Sequence, residues 1–169
     1  MLVLCLATAC FRCGAQEARK EGLLLQWRFD GDLLDSSGNG HHGTPTGNCS
    51  FVEGREGRCL SLDGQRSFVT ADTSLPTLAE SFTIECWVKP AAAQVPYADI
   101  LGNHAGDFTG LALQQDGEQT NHYYFTYGTW SAWVYSHPIP LAADQWQHLA
   151  VCKSPTHLRV NVNGLPVDS

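Results

Sequence analysis

The sequence predicts an all-β chain folded as a two-sheet antiparallel β-sandwich, and three observations carry the prediction. Short apolar or alternating runs recur along the chain, each closed by a cluster of Gly, Pro, Asn or Asp, which is the rhythm of strands joined by turns. The composition agrees, because 16 Gly and 5 Trp within a 10% aromatic content supply tight turns and large flat side chains to bury between layers. Helices have no room: Ala91-Ala92-Ala93 is the best helix-forming stretch, and Pro90 and Pro96 confine it to a loop.

Candidate strands fall at residues 22–29, 50–53, 58–63, 67–71, 81–89, 99–102, 110–115, 123–127, 131–136, 145–153 and 158–162. Within 81–89, Phe82, Ile84, Cys86 and Val88 share one face and Thr83, Glu85 and Lys89 the other, so Cys86 should point into the core. Leu158, Val160 and Val162 repeat the pattern. Asn163-Gly164 between alternating runs is a type I′ hairpin signal, and it calls for a returning strand within 165–169 whose outer edge another chain could complete.

The N-terminus reads differently. Residues 2–11 are apolar, and Cys13-Gly14-Ala15 supplies the small residues a signal peptidase recognises. Residues 1–15 are therefore expected to be a cleaved leader and 16–169 one domain, secreted or on the cell surface. The apolar run is too short for a transmembrane helix, which needs roughly 20 residues. Three of the 7 Cys (Cys5, Cys10, Cys13) lie in the leader, leaving Cys49, Cys59, Cys86 and Cys152 for disulfides. Four cysteines allow three connectivities; the expected pairs are Cys49 with Cys59 and Cys86 with Cys152. The first pair requires an irregular loop, because a regular four-residue turn at 54–57 would set Cys49 opposite Leu62.

Charge and motifs narrow the chemistry. A net charge of −7 gives no electrostatic basis for gripping a phosphate backbone, so nucleic acid is not an expected partner. No Glu is followed two residues later by Asp, which removes the E-x-D-x-x-E spacing of β-sandwich hydrolases, and neither a G-x-S-x-G elbow nor H-E-x-x-H occurs. A glycan-active enzyme thus ranks third and no catalytic residue is expected. The G-x-G-x-x-G match at 38–43 opens no helix, and the seven His read by default as solvated loop residues. Asp30, Asp35 and Asn39 lie in one oxygen-rich loop that offers Ca2+ a ligand set, against the alternative that Asp35, Ser36 and Asn39 shape turns. The aromatic run 123–135 is the strongest surface candidate: Trp130, Trp133, Tyr124 and Tyr127 are flat plates on which sugar rings could stack.

Four segments in order then resemble one family. They are GLLLQWRFDGDLLDSSGNGHHGT at 22–44, GRCLSLDG at 57–64, SFTIECWVKP at 81–90, and WQHLAV at 146–151 followed by LRVNVNG at 158–164. Together they resemble the LamG-like jellyroll domains of the concanavalin A-like lectin/glucanase superfamily, with laminin G and pentraxin modules as fold relatives. The resemblance implies a jellyroll that binds glycan or glycoprotein without catalysis, with a structural or protein-interaction domain of a larger surface protein as the alternative. It lends support to calcium near Asp30 and Asp35. Cys59, Cys86 and Cys152 depart from the family pattern, and the family's closing C-terminal strands are expected to be missing after the Asn163-Gly164 turn.

Overall fold

The computed structural model describes residues 2–5, 22–71, 81–103 and 107–167; the cleavage position at Ala15, Cys10, Cys13, His104 and Ser169 lie outside them. The described residues form fourteen strands and no helix. They are β1 (Leu2–Cys5), β2 (Gly43–Thr46), β3 (Ser50–Glu53), β4 (Arg58–Leu62), β5 (Phe68–Ala71), β6 (Phe82–Pro90) and β7 (Asp99–Gly102). The second half holds β8 (Leu111–Gln115), β9 (His122–Gly128), β10 (Trp133–Tyr135), β11 (Ile139–Pro140), β12 (Gln147–Lys153), β13 (Leu158–Val162) and β14 (Leu165–Pro166).

A seven-stranded sheet runs β14-β13-β12-β6-β1-β4-β3, a five-stranded sheet runs β10-β9-β8-β7 with β11 also on β9, and β2 pairs β5. The architecture is an antiparallel β-sandwich of the jellyroll kind. Alternation explains how its layers meet: Leu60, Cys86, Val88, Leu149, Val151 and Val160 face inward from the larger sheet. Leu111, Leu113, Tyr123, Phe125 and Ile139 face them from the smaller one, and Phe82 meets Phe125 at 6.3 Å between ring centroids. Tyr123 is fully buried, and its hydroxyl accepts a bond from Gln94 Nε2 at 2.7 Å; burial pushes its pKa up to about 12.

The Asn163-Gly164 turn forms as expected, with φ of 52° and 80°, and brings Leu165 opposite Val162. Residues 22–29 do not form the expected strand. Phe29 takes φ of 56°, which turns the backbone, and the segment touches its neighbours through an isolated Trp27–Asp35 bridge. β2 was hidden because Gly-Thr-Pro-Thr has no apolar alternation.

β1 falls inside the segment read as a leader. It pairs antiparallel with both flanking strands, Leu2 opposite Leu62 and Pro90, and Leu4 opposite Leu60 and Val88. An apolar run with Val and Leu suits an inner strand as well as a leader, and composition alone does not separate the two.

The expected disulfides do not form. β3 and β4 keep a regular register, Val52 opposite Cys59 and Ser50 opposite Ser61, around a four-residue turn closed by Gly54 N–H to Gly57 O at 2.9 Å. Cys49 is thereby carried three positions from Cys59, beyond disulfide reach. Cys86 lies opposite Leu149 and faces the core, whereas Cys152 lies opposite Thr83 and is exposed on the other face. Cys49, Cys59, Cys86 and Cys152 are all free thiols.

Candidate functional site

The outer face of the five-stranded sheet carries the aromatic candidates. Residues directly opposite in register share a face. Tyr124 stands opposite Gln114, which stands opposite Asp99; Thr126 stands opposite Ala112 and Tyr135; Gly128 stands opposite Trp133. Tyr124 and Tyr135 meet edge to face at 6.3 Å between centroids. Gln114 Nε2 donates to Asp99 Oδ1 at 2.9 Å, a polar pair beside the rings. Thr126 Oγ1 is buried on this face and has no hydrogen-bond partner among the described residues.

At the end of this face the turn 129–132 joins β9 to β10, closed by Thr129 N–H to Ala132 O at 3.0 Å. Trp130 sits on it with φ of 69° and its side chain 82% exposed. Its backbone N–H donates to Phe108 O at 3.0 Å, and Phe108 itself has φ of 60°. The Phe108 ring lies 6.2 Å from Trp133. Gly128 permits this approach: a Cβ there would collide with Phe108 O.

Trp130, Trp133 and Tyr124 thus stand on or beside one surface. Tyr127 does not. It is turned to the core face by the same alternation that exposes Tyr124, lying 6.3 Å from Phe125 with Lys153 Nζ 4.9 Å over its ring. Phe108 and Tyr135 complete the surface in its stead. Tyr135 was legible as part of the aromatic run. Phe108, fifteen positions before the run begins, had no signal beyond an isolated Phe before Thr109-Gly110.

The oxygen-rich loop does a different job. Asp35 Oδ1 accepts the N–H groups of Gln26 at 3.0 Å and Ser37 at 2.8 Å, and Oδ2 accepts Ser37 Oγ–H at 2.7 Å and His41 N–H at 3.0 Å. Burial raises its pKa, but these bonds outweigh burial and hold the carboxyl well under the usual carboxylate range. Four donors occupy the four lone-pair sites of the carboxylate, leaving none for a cation. Asn39 Nδ2 donates to Leu23 O and Leu24 O at 2.8 and 3.0 Å, and Asp30 Oδ1 accepts Arg58 N–H at 2.9 Å. Asp35 is therefore closed to a cation, while Asp30 and Asn39 make turn-shaping bonds of their own. No group of three His, Cys, Asp or Glu among the described residues is placed to hold a metal.

Comparisons with known proteins accord with this geometry. The sequence model described as the concanavalin A-like lectin/glucanases superfamily matches residues 62–169. The chain belongs to that superfamily. A search of curated proteins found no significant match. Among solved structures this superfamily member is similar to domain 4 of AbnA, a GH43 extracellular arabinanase from Geobacillus stearothermophilus, in complex with arabinotriose. The TM-score is 0.67 and the identity 25%, over 85% of this chain and 72% of that one. No helix among the described residues is long and apolar enough to cross a membrane.

Proposed function

We propose that the chain is an exported, noncatalytic carbohydrate-binding module that holds a glycan against Trp130, Trp133 and the Tyr124–Tyr135 pair. The observation that carries this reading is Trp130: a large indole kept 82% exposed on a left-handed backbone position. Such a conformation costs on the order of 1–3 kcal/mol and persists only where surrounding contacts impose it. Flat rings bind the C–H face of a sugar with little entropy loss, and Gln114 with Asp99 supplies hydrogen bonds beside them. The superfamily, the arabinotriose complex of the similar domain and that enzyme's extracellular setting support the reading. Noncatalysis is supported by the outer face itself, where Asp99 is the one acid among the strand residues, whereas glycoside hydrolysis uses two carboxylates.

The test is a glycan panel that includes arabinotriose, with and without a chelator. Retention is expected to be weak, unaffected by chelator, and reduced about tenfold in Trp130→Ala, equivalent to ~1.4 kcal/mol, with an unchanged melting midpoint. Failure to bind any glycan would overturn the proposal, as would hydrolysis of a bound one. A second reading, a protein-interaction domain, draws on the edge strand β14, where Leu165 is 72% exposed. A partner adding a strand there would not be displaced by free sugars.

A further inference from the structure

All 10 Lys and Arg of the chain fall outside residues 90–152. That stretch contains β7 to β11, the whole five-stranded sheet, and carries Asp99, Asp107, Asp116, Glu118 and Asp144 instead. Most of the net charge of −7 thus comes from the part of the chain that builds the aromatic face. Three of these acids bracket the rings. At one end Asp99 is bonded to Gln114, which stands opposite Tyr124. Asp116 accepts the backbone N–H groups of Glu118 and Gln119, each at 2.7 Å, and the Tyr124 hydroxyl; these bonds hold its carboxyl below the usual carboxylate range. At the other end Asp107 directly precedes Phe108, whose carbonyl holds the Trp130 turn, and its carboxylate accepts the Thr109 hydroxyl. Tyr124 to Gly128 is four residues of β9, about 13 Å, so the acids stand within reach of both ends of a short oligosaccharide. No strand residue of this sheet is Lys or Arg, and His122, beside Asp116, is the one imidazole among them.

We infer that the aromatic face sorts glycans by charge, taking an amine-bearing, glucosamine-type oligosaccharide in preference to its uncharged counterpart and turning uronates away. Aromatic rings attract a cation through the negative potential of their faces, and carboxylates at both ends of the strip add to that potential with the same sign. A neutral sugar gains from stacking and hydrogen bonds alone. A uronate would bring a further carboxylate beside Asp99 and Asp116 with no Lys or Arg on the sheet to receive it. The inference rests on the glycan-binding reading and names the class of sugar that the same site prefers.

The test is residue-resolved NMR titration of the whole chain with triglucosamine, its uncharged N-acetylated counterpart triacetylchitotriose, trigalacturonate and arabinotriose in parallel, at about pH 6, below the range of an ordinary α-amine. Triglucosamine is expected to shift the Trp130 and Trp133 indole N–H signals and to bind at least about fivefold tighter than triacetylchitotriose at about 50 mM salt, the advantage shrinking below about twofold at 300 mM. Trigalacturonate is expected to bind weakest and to gain affinity as salt rises. Asp99→Asn, which keeps an oxygen for Gln114, should narrow the preference for the amine. Ser131→Lys, in the exposed turn beside Trp130, is a second variant that should do the same and ease the exclusion of trigalacturonate, with the melting midpoint unchanged. Equal affinity for triglucosamine and triacetylchitotriose, a preference indifferent to salt, or two variants that leave it intact would overturn the inference. So would triglucosamine shifts scattered over the acidic surface with both indoles unmoved, which mark unspecific attraction. Arabinotriose and triacetylchitotriose binding at the indoles without any order by charge would sink this inference and leave the glycan-binding reading standing, whereas no binding by any of the four would sink both.

Discussion

Trp130 donates its backbone N–H to the carbonyl of Phe108 at 3.0 Å, and both residues hold left-handed backbone angles, 69° and 60°. The bond ties the turn between β9 and β10 to the loop before β8, with Gly128 N–H to Gly110 O at 2.9 Å as a second tie. Two aromatic side chains from separate loops are thereby held at one end of the five-stranded sheet.

Gly128→Ala tests that tie. Its Cβ would collide with Phe108 O, so the loop must move or the hairpin must strain. The variant is expected to lose about 1–3 kcal/mol of stability and, unlike Trp130→Ala, to weaken glycan retention and stability together. Denaturant unfolding beside the glycan panel checks both.

Asp35→Asn would set an amide N–H₂ against donors that now converge on a carboxylate. A loss of about 2–3 kcal/mol is expected, the scale of a buried charge-assisted network. The pH dependence follows from the depressed pKa. The ionised carboxyl's stabilisation is fully present above the unfolded value near 3.9 and is lost as pH falls from there through the lower folded value. The wild type should therefore lose stability below about pH 4 more steeply than Asp35→Asn, measured as unfolding midpoints from pH 7 to pH 2.

Thiol labelling separates the cysteines. Burial, with Glu85 adding to it, pushes the Cys86 thiol up to about 12, and burial likewise raises Cys59 against a weaker opposing effect of Lys89. In a native chain beginning at Gln16, iodoacetamide at pH 8 is expected to modify Cys152 first and Cys49 more slowly. Cys59 and Cys86 should react only after unfolding. Peptide mapping under nonreducing conditions checks this, and a Cys49–Cys59 link found there would require β3 to slip against β4.

The same shortened chain probes β1. Removing residues 1–15 takes away a strand bonded on both sides, which at about 1 kcal/mol net per hydrogen bond amounts to roughly 3–4 kcal/mol, or on the order of 10 °C in melting midpoint. Hydrogen exchange should accelerate at Leu60, Leu62, Val88 and Lys89, the residues β1 covers. Equal midpoints for the two chains would show that β1 contributes nothing, as a leader destined for removal requires.

Much of the fold was written in local pattern. Period-two alternation by itself determined that Cys86 faces the core, and turn chemistry that Asn163-Gly164 closes a hairpin, because each follows from neighbouring residues along the chain. Tertiary structure decided the rest. Register across β3 and β4 carried Cys49 away from Cys59, the choice of which face of β9 meets the core set Tyr127 inside and Tyr124 outside, and donors from Gln26, Ser37 and His41 filled the Asp35 carboxylate. Packing between separate loops brought Phe108 to Trp130 and Trp133. Those relations depend on how separate strands and turns come together, whereas period-two patterning constrains only which residues of one strand share a face.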